Sequence, residues 1–458
     1  MTEGNEHIVI LGAGESGTGA ALLASAQGLS VFVSDKGTIA DGYKAELDAH
    51  GIAWEEGTHT EAEMLKATEI IKSPGIPDTA PVVKAAMERG VTVINELEFA
   101  WRYTTAKIIA ITGTNGKSTT SKLAWHLLQK AGYNVALCGN IGKSMARLVA
   151  KEAYAWYVVE VSSFQLDNMH KFKADIGILL NITEDHLDRY GYEMSRYAAA
   201  KMKITQNMTA AERFIYFADD AQIRAQLSQM EIGADKYPVS LESRLKQGAY
   251  QSGHELIFTN AGRVDLHAIN FNRVAIKGPH NRINAMAATL AAMLAGAEVA
   301  KIEEGLASFE SIPHRMEEVG TIEGARFIND SKATNVDAVR YALESYNEDI
   351  IWIAGGIDKG NDYDQLQSLV MRKVKALICL GRDNEKLRQA FARDVQQIQE
   401  TEDVYEAVMM AHTLSEPGDV VLLSPACSSF DLFKNYEHRG DRFREEVLRL
   451  KAQVEKRK

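Results

Sequence analysis

Short apolar runs alternate with longer, partly polar stretches along most of the chain. The runs of the first hundred residues, which are typical of buried strands, lie at 8–11, 31–33, 68–71 and 91–94. The stretch up to about Gln27 and the stretch at 96–103 have a helical pattern. Strands that alternate with helices predict a parallel sheet with helices on both faces. We expect this first domain to end near residue 104.

The same alternation continues through the rest of the chain. Central strands are predicted at 108–111, 134–138, 156–159 and 176–180. The next runs are shorter and predict an antiparallel extension of this sheet at 214–217, 256–259 and 264–269. An apolar helix that opens at 280–284 and ends at Gly296 is predicted. Further runs predict a third doubly wound sheet, with strands at 326–328, 350–353, 376–380 and 420–423.

These patterns predict an α/β protein of three domains, and the length of 458 residues is too great for a single core. The first domain, at 1–104, is expected to be Rossmann-like. The second, at 105–311, is expected to be a central P-loop-type ATPase domain with a mixed sheet. The third, at 312–458, is again expected to be Rossmann-like.

Composition narrows the functional classes. A content of 46% hydrophobic and 25% charged residues with 8 prolines is typical of a folded globular protein. The net charge of -11 argues against general binding to nucleic acid or to anionic membranes. The three cysteines, Cys138, Cys379 and Cys427, are too few and too scattered for a disulfide framework. With no signal-peptide pattern and no apolar helix long enough to span a bilayer, we expect a cytoplasmic protein without membrane insertion.

The strongest motif is Thr-Gly-Thr-Asn-Gly-Lys-Ser-Thr at 112–119, which follows a strand pattern and precedes a helical one. Loop N–H groups and a helix N-terminus attract polyphosphate, Lys117 adds a mobile cation, and the Ser118 hydroxyl is a ligand for Mg2+. The spacing between Gly113 and Gly116 is shorter than in the common P-loop, so an ordinary turn between strand and helix is the alternative. The flanking strand and helix favour nucleotide binding.

A second glycine-rich turn, Gly-x-Gly-x-x-Gly at 12–17, follows the first predicted strand, and Asp35 ends the next strand. This arrangement predicts a diphosphate at the helix N-terminus and Asp35 near a sugar hydroxyl. The alternative is a tight turn with a capping aspartate. The Ser73-Pro74-Gly75 loop at a later strand end is either a ligand contact or only a turn.

Polar residues follow the predicted strands of the central domain, where open α/β sheets bind ligands. Glu160 is a natural Mg2+ ligand opposite Ser118, and the alternative is an acid in a polar loop. His186 lies among acidic residues and is either a metal ligand or part of a solvated loop. Lys201 lies in a helical pattern, and for an arbitrary helical lysine a surface position is expected. The two amides at 281 and 284, which open the apolar helix, can bind a purine edge or cap the helix.

Strand ends of the third domain lie at 329–335, 355–360 and 424–430. Side chains there that together can clamp a dicarboxylate are Lys332, Thr334, Lys359 and Ser429. Each of them alone is more often a turn residue or a surface charge.

Taken together, these residues resemble the Mur ligases, ATP-dependent amide-forming enzymes of peptidoglycan precursor synthesis. The segments that carry the resemblance are 112–119, 160–166, 181–186, Lys201, 280–284 and 314–315. The resemblance covers nearly the whole chain. The first domain and Asp-Ser-Lys-Ala-Thr-Asn at 330–335 are similar to the member that joins D-glutamate to UDP-N-acetylmuramoyl-L-alanine through an acyl phosphate. The resemblance implies three small-molecule substrates, which are UDP-N-acetylmuramoyl-L-alanine, D-glutamate and ATP. We expect a monomer.

The resemblance also implies the ligands of two Mg2+ ions. The metal set is Ser118, Glu160, His186 and Lys201, with Lys201 carrying a carbamate derived from CO2. The implied catalytic residues are Lys117, His186, Lys201 and Lys332. If the resemblance holds, the surface position expected for Lys201 is wrong.

Binding residues are implied in three groups. The ATP group is Gly113, Thr114, Asn115, Gly116, Lys117, Ser118, Thr119, Asn281, Asn284, Arg315 and Asp330. The UDP-sugar group is Gly14, Glu15, Ser16, Asp35, Lys36, Ser73, Gly75 and Asn140. The D-glutamate group is Lys332, Thr334, Lys359, Ser429 and Tyr436. The chain departs from some family members in having Ile357 before Asp358 and in having Tyr436 in place of phenylalanine.

Two other functions are compatible with parts of the sequence. A nicotinamide-dependent oxidoreductase would account for the 12–17 turn and Asp35, but it gives no purpose to 112–119, Glu160 or Lys201. A non-catalytic nucleotide-binding regulator would bind ATP without turnover.

Overall fold

Three β-sheets flanked by helices make up the described part of the chain, as the α/β prediction expected. The computed structural model describes residues 6–260, 263–276, 278–310 and 313–456. By packing, the described residues form two compact units. One holds residues up to 182 with 189–275 and 281–309. The other holds 183–188, 276–280 and the residues from 310 onward.

The N-terminal sheet has five parallel strands in the order β3-β2-β1-β4-β5. The predicted strands are confirmed, and β3 is an added edge strand whose sequence Ala-Trp-Glu-Glu has no apolar run. The elements are β1 (His7–Leu11), α1 (Glu15–Ala26), β2 (Ser30–Asp35), α2 (Asp41–Ala49), β3 (Ala53–Glu56), α3 (Glu61–Met64), β4 (Glu69–Lys72), α4 (Pro81–Glu88), β5 (Thr92–Ile94) and α5 (Glu96–Trp101).

The central sheet has nine strands in the described residues, in the order β14-β13-β12-β11-β10-β9-β6-β8-β7. Its first half comprises β6 (Lys107–Thr112), α6 (Lys117–Lys130), β7 (Val135–Gly139), α7 (Met145–Lys151), β8 (Trp156–Glu160), α8 (Ser163–Asp167), β9 (Ile176–Leu179) and α9 (Met194–Met202). Its second half comprises β10 (Arg213–Phe217), α10 (Ala221–Leu227), β11 (Asp235–Ser240), β12 (Gly248–Ser252), β13 (Glu255–Asn260), β14 (Arg263–Asn270), α11 (Pro279–Leu294) and α12 (Val299–Ser308).

The sheet is mixed as predicted, but the antiparallel extension begins later than expected. β10 and β11 pair in parallel, because α10 carries the chain back across the sheet between them. In the described part of this central sheet, antiparallel pairing is found only at β12–β13 and β13–β14. The apolar helix predicted to end at Gly296 is confirmed. α11 ends at Leu294, and Gly296 then takes a positive φ of 96° that breaks the helix.

The C-terminal sheet has six strands in the order β15-β16-β20-β17-β18-β19. Its strands are parallel except β15, which forms an antiparallel pair with β16. Helices pack on both faces, with Trp352 and Phe391 buried on one side and Phe443 on the other. The elements are β15 (Glu317–Ile322), β16 (Ala325–Asn329), α13 (Val336–Glu344), β17 (Ile350–Ala354), α14 (Gln367–Lys373), β18 (Val374–Leu380), α15 (Glu385–Phe391), β19 (Gln397–Thr401), α16 (Val404–Leu414), β20 (Val420–Leu423) and α17 (Tyr436–Glu455).

The domain limits at 104/105 and 311/312 remain predictions. The first falls in the connection between α5 and β6, and the second lies outside the described residues. None of the helices in the described ranges combines the length and the apolar character needed to cross a bilayer. The three cysteines are buried free thiols.

Candidate functional site

The glycine-rich loop at 112–119 connects β6 to the N-terminus of α6, as predicted. Gly116 has φ 85° and lies against the side chain of Asn284, where a Cβ would come 2.4 Å from Oδ1. Only glycine fits this backbone conformation and this close approach without strain. The loop therefore places its N–H groups at the start of a 14-residue helix.

Lys117 lies on the loop itself. Its Nζ donates to the carbonyl oxygens of Gly113 at 2.8 Å and Thr114 at 2.7 Å. A flexible lysine that binds loop carbonyls is placed at the position where a polyphosphate would lie, and it can exchange these neutral acceptors for charged ones.

Asn181, which follows β9, holds the loop in shape. Its Oδ1 accepts the Asn115 N–H at 2.8 Å, its Nδ2 donates to the Asn115 carbonyl at 3.0 Å, and its own carbonyl accepts the Thr114 N–H. The sequence did not predict a role for this side chain. Only its position at a strand end could have indicated one, because parallel strand ends meet at one edge of the sheet.

The two amides of α11 also reach this loop. Asn284 Nδ2 donates to Asn281 Oδ1 at 2.9 Å, and Asn284 Oδ1 accepts from Thr120 Oγ1 at 3.2 Å. Both side chains are buried, at 8% and 3% exposure for Asn281 and Asn284. Asn284 therefore supports the loop from behind, while the role of Asn281 toward a purine stays a prediction.

Glu160 is the last residue of β8 and pairs in register with Ile111 of β6, just before the loop. Its Oε1 accepts from Asn140 Nδ2 at 2.9 Å. Its Oε2 is buried and has no hydrogen-bond donor among the described residues, and the same is true of Thr112 Oγ1. Buried oxygen atoms that lack donors are suited to a hard cation.

The residues present thus fit a Mg2+ ion held by Glu160 and Ser118, a side chain that is 4% exposed at the start of α6. Among the described residues, no three His, Cys, Asp or Glu side chains cluster as a metal-ligand set. A site here would therefore combine one carboxylate with hydroxyl and phosphate oxygens, which is typical of Mg2+ bound with a nucleotide.

Lys201 is buried at 1% exposure, so the surface position expected for a helical lysine is wrong. Its Nζ donates to the Gly113 carbonyl at 2.8 Å and lies 4.6 Å from the centre of the Tyr197 ring. The Tyr197 hydroxyl is 3.2 Å from Thr114 Oγ1. Sequence reasoning missed Tyr197, although residues four apart on α9 share one helix face.

In the N-terminal domain the 12–17 turn lies beside the predicted partners. Asp35 accepts the Ala13 N–H at 2.7 Å and the Gly37 N–H at 2.8 Å. Gly12 has φ 92°, and a Cβ there would lie 2.5 Å from Ser73 Oγ. The structure thus brings Ser73 and Asp35 to one edge of the sheet, and Asp35 also braces the turn as the capping alternative expected.

Glu96, at the start of α5, is a buried carboxyl group next to α7. Its Oε1 accepts the Ala146 N–H at 2.5 Å, and its Oε2 is buried without a donor among the described residues. Burial is the main cause that raises the pKa of Glu96 to about 7, with the Glu15 charge adding to it and N–H donors opposing it.

We expect the stability difference between Glu96→Gln and the parent to depend on pH. Between pH 4.5 and 7 the folded protein holds a proton that the unfolded chain has lost, so parental stability falls as pH rises through this window. The variant does not ionise. Its melting temperature relative to the parent should therefore rise by about 2–4 °C from pH 5 to pH 8, measured by calorimetry.

Glu98 offers the control. It is also buried, but it accepts N–H bonds from residues 170–172 and lies 3.5 Å from Arg102. Glu98→Gln should lose stability at both pH values. A difference for Glu96→Gln that does not change with pH would contradict the assignment.

The second unit carries the remaining predicted residues. Asp330, which follows β16, is 3% exposed, and it accepts from Ser424 Oγ at 3.0 Å and the Met316 N–H at 3.2 Å. Burial raises its pKa to about 6, and the Arg315 charge opposes this. Arg315 stands between His314 and Met316, two residues with positive φ of 63° and 47°. Such strained backbone is concentrated at functional sites.

The predicted D-glutamate residues lie at neighbouring strand ends of this unit. Lys332 Nζ is 3.2 Å from the Tyr436 hydroxyl. Lys359 forms an ion pair of 2.7 Å with Asp185, in the segment that also holds His186. Ser429 is buried and Thr334 is half-buried.

Asp358, the shifted acid, is occupied within its own loop. Its carboxylate accepts from the Gly360 N–H, from Lys386 Nζ at 2.9 Å and from the Tyr363 hydroxyl at 2.9 Å. Burial acts to raise the pKa of Asp358, but the hydrogen bonds from Lys386 and Tyr363 outweigh burial and lower the pKa below its usual value. The acid therefore has a structural role here.

Arg439 of α17 joins three of these loops and was missed by sequence reasoning. Its guanidinium is 1% exposed and donates to Ser331 Oγ at 2.9 Å, to the Ser331 carbonyl at 2.8 Å and to the carbonyls of Gly355 and Cys427. A buried arginine with several carbonyl acceptors fixes the strand ends against one another.

Family models match almost the whole chain. One described as the Mur ligase middle domain matches residues 111–292, one described as the Mur ligase glutamate ligase domain matches 314–427, and one described as the MurD-like N-terminal domain matches 6–95.

Curated relatives with the name UDP-N-acetylmuramoylalanine--D-glutamate ligase are similar over the full length. The protein of Porphyromonas gingivalis is 50% identical over 445 residues, which is 97% of this chain and 98% of the relative. Those of Bacteroides fragilis and Cytophaga hutchinsonii are each 48% identical, over 97% of this chain and 100% and 99% of the relatives.

Solved structures share the fold at lower identity. A pseudomurein peptide ligase type C from Methanothermus fervidus has a TM-score of 0.62 at 20% identity, covering 98% of this chain and 100% of that chain. The UDP-N-acetylmuramate-alanine ligase MurC from Thermotoga maritima has a TM-score of 0.60 at 20% identity, covering 97% and 100%. The chain belongs to the Mur ligase family.

Proposed function

We propose that this protein is the ligase that joins D-glutamate to UDP-N-acetylmuramoyl-L-alanine, with ATP converted to ADP and phosphate. The observation that carries the proposal is the convergence of Lys117 and Lys201 on the Gly113 carbonyl, beside the strand that ends in Glu160. The names of the full-length relatives support the choice of substrates.

The reaction has two steps, and the negative charge of the substrates determines what the protein must supply. The alanyl carboxylate attacks the γ-phosphorus of ATP and ADP leaves, which gives an acyl phosphate. The amine of D-glutamate then attacks the acyl carbon, phosphate leaves, and the amine loses a proton. Anionic oxygens crowd together in the first step, so cations around them stabilise the transition state. Lys117 supplies one of these charges.

We assign Mg2+ to Ser118 and Glu160, and a second ion to His186 and a carbamylated Lys201. The ions would neutralise phosphate oxygens and orient the γ-phosphoryl group. Carbamylation joins the unprotonated Nζ of Lys201 to the carbon of CO2 and releases a proton. It turns a buried cation into an anionic oxygen ligand, which is what a divalent ion requires.

We assign one group of binding residues to each substrate. ATP is assigned to 113–119 with Asn281, Asn284, Arg315 and Asp330. The UDP-sugar is assigned to the strand ends of 1–104 with Asn140, and D-glutamate to Lys332, Thr334, Lys359, Ser429 and Tyr436 in 312–458. We further propose a cytoplasmic enzyme, since ATP is consumed there, and a monomer.

An amino-acid panel with UDP-N-acetylmuramoyl-L-alanine tests the proposal. We expect phosphate release from ATP only when the UDP-sugar and D-glutamate are both present, with L-glutamate at least about 100-fold less effective because its carboxylates cannot meet the same cations. Mass spectrometry should show the new amide product.

The competing functions predict different outcomes in the same assay. A nicotinamide-dependent oxidoreductase would change NADH absorbance with a substrate and ignore ATP. A regulator would bind ATP and release no phosphate with any amino acid. Strong turnover with an amino acid other than D-glutamate would contradict the substrate assignment alone.

A further inference from the structure

Arg147 of α7 pairs with carboxylates on α1 and α2, and Arg147 itself has no role in the assigned chemistry. Its Nε donates to Glu15 Oε1 at 2.9 Å, and its Nη1 donates to Glu46 Oε1 on α2. The Arg147 side chain is only 8% exposed, while those of Glu15 and Glu46 are 33% and 25% exposed. One largely buried cation therefore serves two carboxylates at the edge of solvent.

Glu15 stands at a sensitive position. It is the first residue of α1, directly after the glycine-rich turn assigned to the diphosphate of the UDP-sugar. A carboxylate in the first turn of a helix is attracted to the same positive end that would bind a diphosphate. If it were not paired, it would compete with the diphosphate and repel it.

The structure holds this carboxylate toward α7 instead. Besides Arg147, the Ser144 N–H donates to Glu15 Oε1 at 2.9 Å. The N-cap residue of α7, Ser144, lies very close to α1, because a Cβ on Gly19 would come 1.8 Å from its Oγ. This close packing of α1 against the start of α7 places Glu15 beside Arg147.

The cluster also borders open space. Tyr43, Lys143 and Lys151 join Glu15, Glu46 and Arg147 in lining a cavity. Lys151 is 3.9 Å from Glu46 and 56% exposed, so solvent screens its charge strongly. Arg147 is therefore the main compensation for both acids.

We infer that Arg147 is a positioning residue of the UDP-sugar site, which neutralises Glu15 and Glu46 and keeps the N-terminus of α1 available to the substrate diphosphate. This inference rests on the proposed function for the identity of the substrate. The electrostatic argument itself applies to any UDP-linked ligand that binds at this helix.

Arg147→Met tests it, since methionine keeps an apolar stem and removes the charge. We expect the KM for the UDP-sugar to rise about 10- to 100-fold with kcat and the KM for ATP nearly unchanged, because two uncompensated carboxylates would lie near the helix end that binds the diphosphate. The rise in KM should become smaller at high ionic strength, since salt screens the repulsion.

Removal of the acids separates electrostatics from packing. The double variant with Glu46→Gln and Arg147→Met carries one uncompensated carboxylate fewer than Arg147→Met, and its KM should fall at least about threefold back toward that of the parent. Arg102→Met breaks another arginine–glutamate pair in the same domain, at 2.7 Å to Glu69, and should leave the KM unchanged. A structural role for Arg147 would leave the double variant as impaired as the single one.

Titration of UDP alone, followed by calorimetry, keeps the inference independent of turnover. Weaker UDP binding by Arg147→Met than by the parent supports it even if the parent ligates no amino acid, an outcome that would overturn only the proposed function. Equal binding by both proteins, or no binding by the parent, overturns the inference. If Arg147→Met does not fold, Arg147→Gln, which also removes the charge but keeps a polar side chain, should show a similar rise in KM, and an unchanged KM would overturn the inference.

Discussion

Replacing Lys117 with alanine is expected to lower the rate of ligation by about 10²- to 10³-fold, the range typical for the loss of one preorganised electrostatic contact to a transition state. The Nζ atom lies on the loop carbonyls of Gly113 and Thr114, at the start of a helix whose N–H groups favour anions. Without it, the oxygens of the transferring phosphoryl group would lose a cation that no neighbouring backbone group can replace.

The measurement is phosphate release at saturating substrates, with the amide product quantified in parallel. Lys130→Ala is a matched control, because Lys130 lies exposed at the far end of the same helix α6 and should leave the rate unchanged. A folded Lys117→Ala enzyme that keeps more than about a tenth of the parental rate would contradict the role given to this lysine.

Lys201→Ala is expected to abolish ligation to a similar degree, by about 10²-fold or more, and added bicarbonate should not restore it. The more telling variant is Lys201→Arg. The substituted side chain keeps a cation near the Gly113 carbonyl and the Tyr197 ring but does not form a carbamate. If Lys201 acts only as a buried cation, the Lys201→Arg enzyme should retain part of the activity, and if it acts as a carbamate, both variants should be inactive.

Carbon-13 NMR distinguishes these outcomes directly. The parent incubated with labelled CO2 should show a carbamate signal that is absent from Lys201→Arg, and its activity should fall in CO2-depleted buffer and recover with bicarbonate. Lys203→Ala is the control, since Lys203 follows α9, is 40% exposed and pairs with Asp167. Substantial activity in Lys201→Arg without a carbamate signal in the parent would falsify the carbamate assignment.

Much of the fold was predictable because buried parallel strands need apolar residues on both faces. β1, β6 and β17 appear in the sequence as uninterrupted apolar runs, and the structure confirms them. Three of the strands that were not predicted, β3, β15 and β19, lie at sheet edges, whereas β11 and β12 lie inside the central sheet. Edge strands have fewer neighbours, so their sequences contain charged residues and do not differ clearly from loops.

The candidate site was predictable only in part, because some of its contacts join residues that are far apart in the sequence. The sequence located Lys117 and Glu160, because a motif or a strand end marks each position. It did not indicate that Asn181 binds the loop at 112–119 or that Tyr197 contacts both Thr114 and Lys201. Asn181 and Tyr197 are 66 and 83 positions from their loop partners, and only the packing of β9 and α9 brings them together.

The sequence by itself determined which loops carry phosphate-binding chemistry, since a glycine-bracketed turn between a strand and a helix is set by local backbone preferences. It also determined the family, through the order of those motifs along the chain. Only the tertiary structure decided that Lys201 is buried at the loop and that Arg147 neutralises Glu15. Burial and pairing depend on which distant elements pack together, and the energy of a charged group is decided by that environment.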